Sequence, residues 1–218
     1  MSASPVNESG FKGRPWLRAL ALLVWGTLAL RLGVVAVEAA QADESVVGAI
    51  VGSFGYFTVL TALVAGVAAT APLVPSTVLR RARLASLAGP GFATLVTTSL
   101  LLVALVYTLA LRDQWHPEGV RLVVDSLLHD VIPLAFLLYW WFFVPKHDLR
   151  YRHVLWWVCY PVIYLLVVMA LGLTHSWYPY PFLDVPELGA LRVRLNVVGL
   201  LGIYALLACV LIGVGRRR

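Results

Sequence analysis

Six long apolar stretches, residues 17–37, 46–71, 92–111, 122–144, 154–173 and 195–214, occupy most of this 218-residue chain. A hydrocarbon layer about 30 Å thick is crossed by a helix of about 20 apolar residues. In lipid, a segment must satisfy its backbone hydrogen bonds internally, which a helix does. Charged residues make up only 13% of the chain, against about 25% in soluble domains. The connections are too short for a separate globular domain. These features predict an all-α polytopic membrane protein, with one six-transmembrane-helix bundle over residues 12–218. The polar, Gly- and Pro-containing residues 1–11 are expected to be disordered and cytoplasmic.

The net charge of +6 invites a nucleic-acid reading until the charges are placed. Lys12, Arg14 and Arg18 precede the first stretch, and Arg80, Arg81 and Arg83 follow the second. Lys146, Arg150 and Arg152 follow the fourth, and Arg216, Arg217 and Arg218 follow the sixth. These are alternate ends of a six-pass bundle, so twelve of the 17 basic residues fall on one side. The positive-inside rule makes that side cytoplasmic, with both termini inside. The expected location is a plasma membrane of bacterial inner-membrane type, and nucleic acid is not an expected partner. Ala40-Gln41-Ala42 resembles a signal-peptidase site. The preceding run is too long for a signal core and holds Arg31, so it stays the first helix. Cys159 and Cys209 lie inside predicted helices and read as small buried apolar residues.

An ionisable side chain at membrane depth is costly, which makes it a functional candidate. His129 lies in Asp-Ser-Leu-Leu-His-Asp-Val-Ile-Pro, in the outer part of the fourth stretch. Asp125 sits four residues before it, on the same helical face, where it can accept the second ring N–H and set the tautomer. Thr58 lies midway along the second stretch. Gly48, Gly52, Gly55, Thr58, Ala62 and Gly66 share about a third of a continuous helix's circumference. Such a small-residue face packs closely against neighbouring helices. A threonine and a histidine that meet can act as nucleophile and base, although a helix-buried threonine also commonly bonds back to its own helix. Arg31 either holds a substrate carboxylate or snorkels to the interface. In the external loop, Tyr178, Tyr180 and Phe182 form either a lid over the bundle mouth or an interfacial anchor. Tyr56, Thr61 and Asn196 are candidate oxyanion donors. Haem needs two axial ligands, which only His129 with His175 could offer, and zinc needs three. No metal or cofactor is expected.

Three motifs in order carry a family likeness. They are Tyr56-Phe57-Thr58-Val59-Leu60-Thr61, Leu127-Leu128-His129-Asp130-Val131-Ile132-Pro133 and Tyr180-Pro181-Phe182-Leu183-Asp184. Together they resemble the androgen-induced membrane protein family (FAR-17a type), in its bacterial branch, over essentially the whole chain. That resemblance implies an integral-membrane threonine hydrolase acting on fatty acid esters of hydroxy fatty acids. It implies Thr58 as nucleophile and His129 as base. The functional expectation is a lipid-ester hydrolase whose substrate comes from the bilayer, with Asp125 orienting the histidine and Arg31, Tyr180 and Phe182 contacting substrate. The competing expectation is a non-catalytic membrane protein that binds a lipid or a partner helix through the small-residue face.

Overall fold

The computed structural model describes residues 13–217. The expected disordered segment 1–11, together with Lys12 and Arg218, lies outside the described residues. Five helices are long and apolar enough to cross a membrane. They are α1 (Arg14–Gln41), Pro90–Gln114, Gly119–Phe143, Arg152–His175 and a helix over Ala190–Gly215. The second apolar stretch is broken into α2 (Val46–Ser53) and α3 (Phe57–Thr70). With its short extension to Leu73, α3 is bent by 77° from α2. If this pair is one span, it supplies a sixth crossing. The described chain is all-helical and carries the apolar helices of a multi-pass membrane protein.

The connection after α3 contains a two-turn helix, α4 (Ser76–Arg81), whose last turn ends in Arg80 and Arg81. The third span starts as α5 (Pro90–Val106) and widens into a π turn at Tyr107–Leu111. The fourth comprises α6 (Gly119–Ser126), a π turn at Leu127–Val131 and α7 (Ile132–Phe143). Pro133 explains part of that widening, because it has no N–H to donate to the His129 carbonyl four residues earlier. The fifth comprises α8 (Arg152–Trp157) and α9 (Cys159–His175). A short α10 (Val185–Leu188) leads into α11 (Ala190–Gly215).

Helices in lipid gain little from hydrophobic transfer, since the tails are as apolar as their side chains. Close packing and satisfied polar groups must hold them together. The core is built accordingly around Val96, Phe136, Trp140, Tyr204 and Ile212, all fully buried. Trp140 donates its indole N–H to Thr94 Oγ1 at 2.9 Å. Trp157 is also buried, whereas Trp156 is exposed. Cys159 is exposed and Cys209 half-buried, so neither is the fully buried residue expected.

The continuous small-residue face does not form either, because the break separates its two halves. Gly52 faces open space. Gly66 seats the Trp25 ring of α1, where a Cβ would come within 2.7 Å of it. Gly55 lies in the break itself and seats Trp177, with a Cβ there 2.4 Å from the ring. Three glycines within eight residues, each costing about 1 kcal/mol of helix propensity, weaken the helix where it bends. The hydroxyl of Tyr164 on α9 donates to the freed Gly55 carbonyl at 2.9 Å.

Candidate active site

The break puts the start of a helix inside the apolar bundle. Tyr56 is extended and offers no side-chain cap, and α3 begins at Phe57. Thr58 is therefore the second helical residue. The carbonyl four residues back belongs to Phe54, on the far side of the bend, so Thr58 lacks the helical back-bonding partner that buried threonines use. Its hydroxyl reaches across to the fourth span instead, with Thr58 Oγ1 3.4 Å from His129 Nε2.

His129 lies in the middle of the π turn at Leu127–Val131. Its Nδ1 is 3.0 Å from the Asp125 carbonyl oxygen and 3.2 Å from Asp125 Oδ1. Both atoms can only accept, so Nδ1 carries the proton and Nε2 presents its lone pair to the Thr58 hydroxyl. His129 and Asp125 side chains are only 14% and 12% exposed, so this pair is largely withdrawn from solvent. Tyr107, which opens the other π turn, stacks on the imidazole with centroids 3.9 Å apart and planes at 10°. The Tyr107 hydroxyl donates to Asp125 Oδ2. Imidazole and carboxylate are thus held by one side chain that sequence reasoning missed. A tyrosine in an apolar run reads as core filler, and only the facing of two π turns reveals its role. Such turns recur at functional sites because they re-aim side chains. Further out, Arg112 covers the Tyr107 ring at 4.9 Å and pairs with Asp130 at 2.5 Å.

Thr58 and His129 open into a cavity with about 550 Å³ of empty space, its mouth included. Leu102, Val106, Leu165, Leu200 and Leu201 make its walls apolar, and Tyr180, Phe182 and Leu183 close one side. This lining suits hydrocarbon beside a polar centre.

The loop between α9 and α11 folds back onto the bundle. Trp177 fills the notch at Gly55, and Tyr178 fills one at Gly172, where a Cβ would be 2.1 Å from its ring. Asn196 Nδ2 donates to the Phe182 carbonyl at 2.8 Å. Tyr180 stacks on Phe182 with centroids 5.1 Å apart and meets Tyr56 edge-on at 6.0 Å. Its hydroxyl lies within hydrogen-bonding reach of the Thr58 side chain and of the Phe57 and Thr58 backbone. Burial raises the Tyr180 phenol above its ordinary pKa, so it stays protonated and able to donate.

The structure thus brings Thr58, His129, Asp125, Tyr180 and Phe182 to one place. Arg31 does not line the cavity. Thr61 pairs with the Tyr160 hydroxyl at 3.1 Å, Asn196 holds the loop, and Tyr56 packs by its ring against Trp177 and Tyr180; none of these expected oxyanion donors lines the cavity. Among the described residues, no three His, Cys, Asp or Glu side chains gather as a metal site. Compared with known proteins, the chain matches no family model, no curated protein and no solved structure.

Proposed function

We propose that this protein is a six-span membrane hydrolase of lipid esters, with Thr58 as nucleophile, His129 as general base and Asp125 as the residue that fixes the base. The observation that carries this reading is the run Thr58–His129–Asp125, with a defined tautomer, at the wall of an apolar cavity. Thr58 Oγ attacks the ester carbonyl while its proton moves to His129 Nε2. The protonated imidazole then passes that proton to the departing alkoxide, releasing the alcohol and leaving an acyl-threonine. Water, activated by the same nitrogen, hydrolyses the acyl-enzyme. The 3.4 Å separation is at the long end for a hydrogen bond, and catalytic contacts commonly tighten when substrate binds.

The likeness to the androgen-induced membrane protein family points to esters of hydroxy fatty acids as the substrate class. The apolar cavity fits their acyl chain. In this reading the bundle sits in a bacterial plasma membrane with both termini cytoplasmic, and the bent α2–α3 pair is one span.

A fluorophosphonate probe tests the chemistry. Protein in detergent should acquire one adduct, found by peptide mass spectrometry on Thr58, and Thr58→Ala protein of equal thermal stability should acquire none. An adduct on Thr61 would move the nucleophile along the helix. No adduct at all would leave a non-catalytic, lipid-binding bundle as the better account of the same cavity. Reporter fusions after Arg83 and after Asp43 should show opposite sidedness, and agreement between them would remove the six-span topology.

A further inference from the structure

An ester hydrolase needs a hydrogen-bond donor where negative charge develops on the carbonyl oxygen, and none of the side chains anticipated for that task lines the cavity. We infer that the Tyr180 hydroxyl is the side-chain oxyanion donor, and so a further catalytic residue of the Thr58 site. This rests on the hydrolase reading above.

Tyr180 is held from both sides along the chain. Trp177 and Tyr178 lock the preceding residues into notches at Gly55 and Gly172. Asn196 ties down the Phe182 carbonyl two residues later, and the Tyr180 ring is clasped between Tyr56 and Phe182. A side chain fixed from both ends loses little entropy when it meets a transition state, which is what preorganised donors require. This is more support than a lipid-facing anchor needs.

The Phe57 and Thr58 amides at the start of α3 face the Tyr180 oxygen and can only donate, so neither competes for its proton. The phenolic proton must therefore point to an acceptor, and Thr58 Oγ1 and Tyr164 Oη are the ones in reach. With Tyr180 donating to Thr58 Oγ1, the Thr58 proton is left free to face His129 Nε2.

Attack then redistributes these bonds. Thr58 Oγ1 uses a lone pair to form the new C–O bond, its proton goes to His129, and the carbonyl π pair moves onto the substrate oxygen. Thr58 Oγ1 becomes a poor acceptor just as the substrate oxygen becomes a strong one. Rotation about the phenolic C–O bond turns the Tyr180 proton from one oxygen to the other. The proton is not transferred, and the phenol returns to its first partner when the tetrahedral intermediate collapses and the alcohol leaves. The donor is engaged most strongly in the transition state, so its loss should lower kcat far more than it raises KM.

The test compares wild type, Tyr180→Phe and Tyr204→Phe in detergent, using p-nitrophenyl esters and the fluorophosphonate probe. Tyr180→Phe keeps the ring and both aromatic contacts. Its kcat should fall about 100-fold, the lower end for loss of one oxyanion donor, with KM changed less than about twofold. The probe should still modify Thr58, but proportionally more slowly. Tyr204→Phe, which removes a buried hydroxyl that meets Ser99 away from the cavity, should leave kcat within about threefold. A Thr58 adduct with Tyr180→Phe turning over within threefold of wild type would overturn this inference alone. So would a fall in kcat/KM carried by KM. Absence of any adduct in wild type would overturn the hydrolase reading and this inference together. Should Tyr180→Phe not fold, 3-fluorotyrosine at position 180 supplies a more acidic donor of nearly the same shape. That variant should accelerate acylation severalfold, and an unchanged or slower rate would count against the assignment.

Discussion

The α5 threonines and Thr58 of α3 belong to the same apolar bundle and are used in opposite ways. In α5, Thr94, Thr97 and Thr98 are fully buried, and each donates to the carbonyl four residues earlier, at 2.7, 2.8 and 2.8 Å. Their protons are spent within their own helix, and Thr94 Oγ1 additionally accepts from Trp140. In α3, Thr70 does the same, donating to the Gly66 carbonyl at 2.7 Å, whereas Thr58 has no helical turn behind it. Residue type is shared, and the difference is whether a helical carbonyl lies four residues back. A threonine becomes available for chemistry in an apolar interior when the backbone that would quench it is missing. The bend at residues 54–56 removes that backbone.

The largest effect should come from the threonine freed in this way. Thr58→Ala or His129→Ala should reduce ester turnover by about 10⁴-fold or more, and the double variant should be hardly worse than either alone, as for residues that act as a unit. Additive losses would break the comparison by showing that the two hydroxyl environments do not differ in function. Asp125→Asn should lower kcat by about 100-fold, within the range for impaired general-base catalysis, because an amide can direct its NH₂ at Nδ1 and favour the wrong tautomer. A pH–rate profile measured beside it would separate a tautomer fault from loss of fold, since misfolding scales the profile without reshaping it. Phe182→Ala should change KM and chain-length preference severalfold while kcat per folded molecule holds. An unaltered preference would remove the loop aromatic from the acyl path. At the other extreme, Thr97→Val should cost about 1 kcal/mol or less in stability, the usual net worth of one hydrogen bond, and should leave turnover unchanged. A large loss of activity there would show that α5 hydroxyls are not idle.

The sequence exposed these elements unequally. The apolar spans were legible because the bilayer imposes one length on all of them. Asp125 and His129 were legible as a pair because i,i+4 spacing keeps two residues on one face, and the wide turn did not carry them apart. Thr58 stood out by depth alone. The bend beside it stayed hidden, since Gly52, Ser53, Phe54 and Gly55 are apolar or small enough to pass as uninterrupted span. The anticipated glycine seam failed for that reason: its periodicity assumed one helix. Tyr107 was hidden for another. It acts through a ring face and a hydroxyl on partners about twenty residues away, and no local pattern marks such a residue. The notches for Trp177 and Tyr178 are likewise invisible in one dimension, where a glycine at position 55 or 172 looks like any other glycine in a membrane helix.

The bend also changes how this span tolerates insertions and deletions. In an unbroken helix, adding or removing one residue turns everything beyond it by about 100°, so each such change upstream of a nucleophile would swing it away from its base. Here α2 ends at Ser53 and a new rotational phase is set at Phe57. The non-helical joint lies between them, so rotation of α2 need not be inherited by Thr58. The outer segment can lengthen or shorten to match a thicker or thinner bilayer, while Thr58 keeps the bearing set by its own first turn.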